Sequence, residues 1–178
     1  YGPVPESAYA QTVLPADIYP RDAVMLITLR EVLSSIKRFG IGANDSVMVF
    51  GFGPVGLTFL KFLSILGAHP IISLEIVDDK LESARASGAD YVLRSDRDYA
   101  TKVKELCPGG VQFVLDAVGL LPLINQTMGL LADQGKFCSY GVAPQTDMQL
   151  DWAAAPYNWQ LQFQQMPSKI EEGEAHNQ

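Results

Sequence analysis

The chain has 178 residues, enough to bury a core without a disulfide or metal staple. Apolar residues make up 48% of it and charged residues only 19%, which excludes intrinsic disorder and a disulfide scaffold. A formal charge of −7 argues against a nucleic-acid backbone or an anionic membrane as partner, because both attract basic patches.

Residues 1–20 are rich in proline and alanine and read as an entry segment, with residues 9–14 a lone strand. Over residues 22–39, Met25, Leu29, Val32, Leu33 and Ile36 recur at helical spacing, and Gly40 ends the helix. Residues 46–50 are a continuous apolar run, as expected of a strand covered on both faces. A helix follows over 54–66 with Val55, Phe59, Phe62, Leu63 and Leu66 facing inward, stopped by Gly67.

The same unit then repeats. Residues 71–75 read as a strand, and Asp78 caps a helix running to about Ser87, with Gly88 past its end. A short strand over 91–93 and a helix over 98–106 lead into the turn Cys107-Pro108-Gly109-Gly110. Residues 111–116 form another strand, 122–131 another helix and 136–140 another strand. Residues 160–164 alternate like a sixth, edge strand, and the acidic tail over 171–174 frays. Strands alternating with helices indicate an α/β fold, a doubly wound parallel sheet of about six strands with helices on both faces.

The most apolar run, 54–68, is broken by Lys61 and falls short of the ~20 residues needed to span a bilayer. No signal peptide is visible, although a chain starting at Tyr1 could have lost one, and the expected location is cytoplasmic. Cys107 and Cys138 lie on unrelated segments and read as reduced thiols. His69 and His176 have no ligand-spaced neighbours, so no metal site is expected within the chain.

Gly51-Phe52-Gly53-Pro54-Val55-Gly56 is a G-x-G-x-x-G placed between the first strand of the array and its first helix. Gly51 permits the tight turn, Gly53 lets backbone approach a pyrophosphate, and Gly56 allows close packing of helix on strand. Pro54 suits the first helical position, where a missing N–H costs nothing. The free N–H groups of that helix end hold a diphosphate without a lysine. Glu75 ends the second strand 19 residues beyond Gly56, near the ~20 at which an acid reaches the adenosine ribose hydroxyls. Its charge repels a 2′-phosphate, so NAD is expected over NADP. Lys80 is the nearest cation in sequence. Asp116 ends the fourth strand at the edge where ligands collect, and either serves the cofactor or caps residues 117–119.

The run Asp45-Ser46-Val47-Met48-Val49-Phe50, continued by the glycine motif, resembles the zinc-type alcohol dehydrogenases of the medium-chain dehydrogenase/reductase family. Three more stretches match that family in order. Glu75 is followed by Asp79-Lys80-Leu81-Glu82-Ser83-Ala84 and Gly88-Ala89-Asp90; next comes Val114-Leu115-Asp116-Ala117-Val118-Gly119. Last, Leu131 leads through Gln134-Gly135-Lys136 to Tyr140-Gly141-Val142. The resemblance spans about residues 9–165.

It implies an NAD(P)-dependent hydride transfer between an alcohol or polyol and its carbonyl. Gly53, Pro54 and Val55 would contact the diphosphate, and Glu75 and Lys80 the ribose. Ala117, Val118, Gly141 and Val142 would line the adenosine-to-nicotinamide path. Zinc would sit in a separate catalytic domain whose Cys, Gly-His-Glu and four-cysteine motifs do not occur here, so no catalytic residue is assigned. The expected division is 1–40 as interdomain segment and connecting helix, 41–165 as the NAD-binding domain, and 166–178 as the start of a return to the catalytic domain. Tyr1 in place of Met fits a cut at that boundary. Ile27-Thr28-Leu29-Arg30-Glu31 departs from the small-residue pattern that usually faces the nicotinamide. The chain alone is expected to bind NAD without turnover, and the whole enzyme to be a homodimer or homotetramer joined through the edge strand. A stand-alone NAD-sensing module is the alternative, and a methyltransferase a distant third.

Overall fold

The computed structural model describes residues 13–77, 80–145 and 147–164. The helix expected over 22–39 is two helices, α1 (Pro20–Ala23) and α2 (Leu26–Phe39). The break comes where Met25 N–H bonds Asp22 O, three residues back, and tightens the chain out of the α-helical ladder. Gly40, at φ 79°, closes α2 by donating to the Ile36 and Lys37 carbonyls. On α2 the inward stripe is Val32, Ser35, Ile36 and Phe39, while Leu33, expected inside, is 40% exposed. Ser35 is tolerated inside because its hydroxyl donates to Glu31 O at 2.8 Å.

Six strands follow: β1 (Val47–Phe50), β2 (Ile71–Glu75), β3 (Tyr91–Arg94), β4 (Val111–Asp116), β5 (Leu131–Ser139) and β6 (Trp159–Phe163). All pairings are parallel, in the order β3-β2-β1-β4-β5-β6. β1 pairs with both β2 and β4, so the winding reverses beside it, and a crevice is expected beyond the carboxyl ends of these strands. The expected doubly wound parallel sheet is the fold observed.

Alternation along β1 shows both faces covered. Val47 and Val49 pack with α2, α3 (Pro54–Leu66) and α4 (Leu81–Ala86) through Phe39, Phe59, Leu63 and Ala84. Met48 and Phe50 pack with α5 (Tyr99–Leu106) and α6 (Pro122–Met128) through Val103, Leu123, Ile124 and Met128. In α3 the inward positions include Leu60, whereas Leu66, expected inside, is 40% exposed at the last turn.

Several expectations shift at element ends, and the sixth strand, expected over 160–164, lies one residue earlier at Trp159–Phe163. The helix over 122–131 stops at Met128, because Leu130 N–H turns back to Thr127 O and Leu131 pairs with Val111 to open β5. β5 therefore starts earlier than 136, carries a register shift near Gln134 (φ 63°), and ends at Ser139 with Tyr140 beyond it. α5 starts after Asp98, whose carboxylate accepts from Thr101 N–H and Oγ1 as an N-cap. The lone strand at 9–14 is absent at residues 13 and 14, and its other residues lie outside the described ones, as do the Asp78 cap, the acidic tail and His176. Cys107 and Cys138 are both free and buried. No helix among the described residues is long and apolar enough to cross a membrane.

Candidate functional site

The chain leaves β1 through Gly51, at φ 98°, where a Cβ would lie 2.6 Å from Val118 Cγ2. Two residues on, Gly53 is the N-cap of α3, and among the described residues no side chain caps that helix end. A Cβ built on Gly53 meets nothing within 4 Å, whereas one on Gly56 collides with Gly51 O and lies 2.8 Å from Gly51 C. The two glycines therefore act differently. Gly56 lets α3 press onto the turn, and Gly53 keeps space open in front of the positive end of the helix dipole.

That space belongs to a cleft of about 640 Å3 at the carboxyl ends of the central strands. On one side the cleft meets Glu75, which is only 8% exposed. Its Oε1 accepts from Ile76 N–H (2.7 Å) and Val77 N–H (3.2 Å), which fixes the carboxylate; Oε2 accepts from no described residue. Lys80 stands exposed on the same rim. Apolar side chains around the cleft remain unusually open to solvent: Ile76 is 57% exposed, Val118 46% and Leu120 42%. Exposed apolar surface joined to a fixed carboxylate and a bare helix N-terminus has the composition of a ligand site.

Asp116, 1% exposed, shapes the opposite wall. Its Oδ1 accepts from Val118 and Gly119 N–H at 2.9 Å each, and Oδ2 from Leu120 N–H at 3.1 Å. Burial raises its pKa above the usual carboxylate value, and the three N–H bonds oppose that rise. Of the two roles open to it from sequence, the observed one is the cap. Its own carbonyl accepts from Tyr140 and Gly141 N–H, so the loop after β5 hangs from the same residue. Gly119 and Gly141 touch backbone to backbone: a Cβ on Gly119 would lie 2.6 Å from Val142 C, and one on Gly141 2.5 Å from Val118 C.

Of the residues singled out from sequence, Gly51, Gly53, Glu75, Lys80, Ala117 and Val118 line the cleft together. Pro54 instead borders a neighbouring groove with Met25, Leu29 and Leu57. Val55 packs against the core and Gly56 lies buried under the turn. Gly141 and Val142 stack behind Gly119, outside the cleft, with Val142 75% exposed. Sequence reasoning missed Ser95, Leu120, Pro122, Leu123 and Gln126 on the cleft wall. Their signal was positional, since each follows the end of β3 or β4 at the edge where the winding reverses. His69 lies away from the cleft and pairs with Asp90 at 3.1 Å. Among the described residues, no group of three or more His, Cys, Asp or Glu side chains is gathered to hold a metal ion.

A profile of the zinc-binding dehydrogenase family matches residues 54–164. The chain is 29% identical over 151 residues to the erythritol/L-threitol dehydrogenase of Mycolicibacterium smegmatis, covering 84% of this chain and 41% of that protein. It is 30% identical over 142 residues to the sorbitol dehydrogenase of Halalkalibacterium halodurans, covering 78% and 41%. Its structure is similar to the alcohol dehydrogenase TADH of Thermus sp. ATN1 at a TM-score of 0.80 and 21% identity, over 92% of this chain and 48% of that one. The chain thus spans less than half the length of these relatives. The glycine turn, the fixed carboxylate and the match over residues 54–164 have one reading: the chain belongs to the zinc-binding dehydrogenases, the zinc-type branch of the medium-chain dehydrogenase/reductase family.

Proposed function

We propose that this chain is the NAD-binding part of a dehydrogenase that oxidises a small alcohol or polyol. The observation that carries the reading is the unfilled space over Gly53 at the uncapped start of α3, in the same cleft as the Glu75 carboxylate. A dinucleotide fits these residues. First-turn N–H groups of α3, with Gly53 bare beside them, hold the diphosphate. Glu75 Oε2 accepts from the ribose hydroxyls, and Lys80 offers a donor at the same rim. Leu120, Pro122 and Leu123 supply an apolar wall for the flat adenine, and Ala117 and Val118 continue the path toward the nicotinamide. Gly141 and Val142 act from behind, by holding the loop that carries Val118 and Gly119 in place. The bound nicotinamide supplies a hydride acceptor for the alcohol carbon.

In this reading residues 41–165 form the cofactor domain, and residues 1–40 and 166–178 join it to a catalytic domain. The zinc of the family is assigned to that catalytic domain, as the family resemblance implies. Among the described residues β6 pairs on one side only, and its other edge suits a second copy in a homodimer or homotetramer.

The carboxylate at Glu75 favours NAD, because it bonds two hydroxyls and repels a 2′-phosphate. Calorimetric titration tests this. NAD is expected to bind at least about tenfold more tightly than NADP, and Glu75→Gln to weaken NAD about tenfold. Equal affinities refute the Glu75 argument, and no binding of either cofactor refutes the reading.

A further inference from the structure

The register between β2 and β3 sets Arg94 opposite Glu75. Register partners in neighbouring parallel strands, about 4.8 Å apart, direct their side chains to the same face of the sheet, and an arginine is longer than that gap. The two strand ends are also tied, since Ser95 N–H donates to Glu75 O at 3.0 Å. Arg94 is thus the cation that the sheet places beside the acid at the ribose end of the cleft. Its guanidinium is already engaged. Nε donates to Asp96 Oδ1 at 2.8 Å and Nη2 to Asp96 Oδ2 at 2.6 Å, a bidentate fork around Ser95, which itself lines the cleft. The Arg94 side chain is 22% exposed and that of Asp96 47%, so the carboxylate stands toward solvent with the cation beneath it.

From this we infer that Asp96 is a positioning residue for cofactor choice, holding the Arg94 guanidinium in a bidentate pair that withholds it from a nucleotide 2′-phosphate. Among the described residues, a phosphate seeking Arg94 must break the two charge-assisted bonds to Asp96 and meet the carboxylates of Asp96 and Glu75. Arg94 holds the Asp96 carboxyl below its usual pKa, in keeping with a pair that stays charged. The inference rests on the reading of Glu75 as the ribose acceptor and goes beyond it. Glu75 rejects the phosphate by repulsion, whereas Asp96 occupies Arg94, a second cation at that end of the cleft besides Lys80.

The test is calorimetric titration of the 178-residue chain with 2′,5′-ADP and 5′-AMP. Wild type is compared with Asp96→Asn, Asp96→Glu and the double variant Asp96→Asn/Arg94→Gln. Asp96→Asn is expected to tighten 2′,5′-ADP about tenfold relative to 5′-AMP. Asp96→Glu restores the wild-type ratio, and the double variant loses the gain. A merely structural Asp96 would shift both ligands together. The inference is overturned by an unchanged ratio in Asp96→Asn, or by a gain that survives in the double variant and so comes from lost repulsion alone. If Asp96→Asn fails to fold, Asp96→Ser carries the same comparison. Equal wild-type affinities for the two ligands refute the Glu75 argument yet leave the Asp96 ratio readable. Binding of neither ligand by any variant overturns both.

Discussion

Alanine at Gly53 and at Gly56, two positions of one motif, should produce opposite outcomes. Gly53 has φ −69° and ψ 176°, extended backbone that any residue adopts, and its Cβ would meet nothing within 4 Å. Gly53→Ala gains about 0.4–1 kcal/mol by restricting the unfolded chain. It loses about as much because alanine is a poor N-cap. The melting temperature should therefore stay within about 2 °C of wild type. Binding should change sharply, because the added methyl occupies the space in front of the α3 N–H groups; NAD affinity should fall at least about tenfold. For Gly56 the balance reverses. Its Cβ collides with Gly51 O and lies 2.8 Å from Gly51 C, so that carbon alone must retreat about 0.6 Å to reach the 3.4 Å of ordinary contact. Both partners are backbone, so no side chain can swing aside, and α3 must lift from the end of β1. We expect a cost of about 3 kcal/mol and a melting temperature about 6–12 °C lower. Thermal unfolding by circular dichroism and NAD titration, run on both variants, separate the two effects. A Gly56→Ala chain that melts within 2 °C of wild type, or a Gly53→Ala chain that binds NAD as wild type does, would refute this division of labour.

Three further outcomes follow from buried and half-buried groups. Asp116→Ala should cost about 3 kcal/mol, since it strips three backbone N–H groups of their acceptor. The folded Asp116 carboxyl titrates above its ordinary 3.8, so between those values the folded chain binds the proton more readily than the unfolded one. The stability difference, wild type minus Asp116→Ala, should therefore fall as pH rises above about 4; a difference that grows with pH contradicts the assignment. Lys136→Met should lower stability by about 1 kcal/mol in denaturant unfolding. It removes the bond from Lys136 Nζ to Phe39 O (2.9 Å), which pins the end of α2 to β5; an unchanged midpoint would exclude that role. Burial raises the pKa of both thiols, most strongly for Cys138, so a chromogenic thiol reagent at pH 8 should label neither until denaturant is added. Rapid labelling of Cys138 in the native chain would contradict its burial.

The sheet was legible because strands covered on both faces must be apolar throughout. Residues 47–50 announce themselves by that continuity, and 113–115 do so within a strand that also carries the exposed Gln112. The glycine turn was legible because sterics leave few substitutes at Gly51 and Gly56. The end of α6 was not, since residues 122–131 hold helical periodicity and only the pairing of Leu131 with Val111 withdraws the last residues. Nor was the exchange on α2, where Ser35 takes the inward place and Leu33 is left out, because a hydroxyl satisfied by Glu31 O carries no mark in the sequence. A carboxylate at a strand end suits a cofactor or a cap equally well, and only the distances from Asp116 to three N–H groups decide between them. The cleft wall of Leu120, Pro122 and Leu123 was hidden for a related reason. These residues matter by where β4 ends, not by what they are.

Asp116 gathers five backbone N–H groups, three on its side chain and two on its carbonyl, from loops that follow different strands. Both loops thereby take their shape as β4 and β5 pair. Ordering a residue costs about 1–2 kcal/mol of conformational entropy, and here that loss falls on folding, before any nucleotide arrives. On the proposed function, a ligand entering beside Val118 would meet a wall whose backbone is already hydrogen-bonded, and little of its interaction energy would be diverted into arranging the protein. Affinity and fold stability therefore share one anchor, so a lesion at Asp116 should weaken the cleft without touching anything in it.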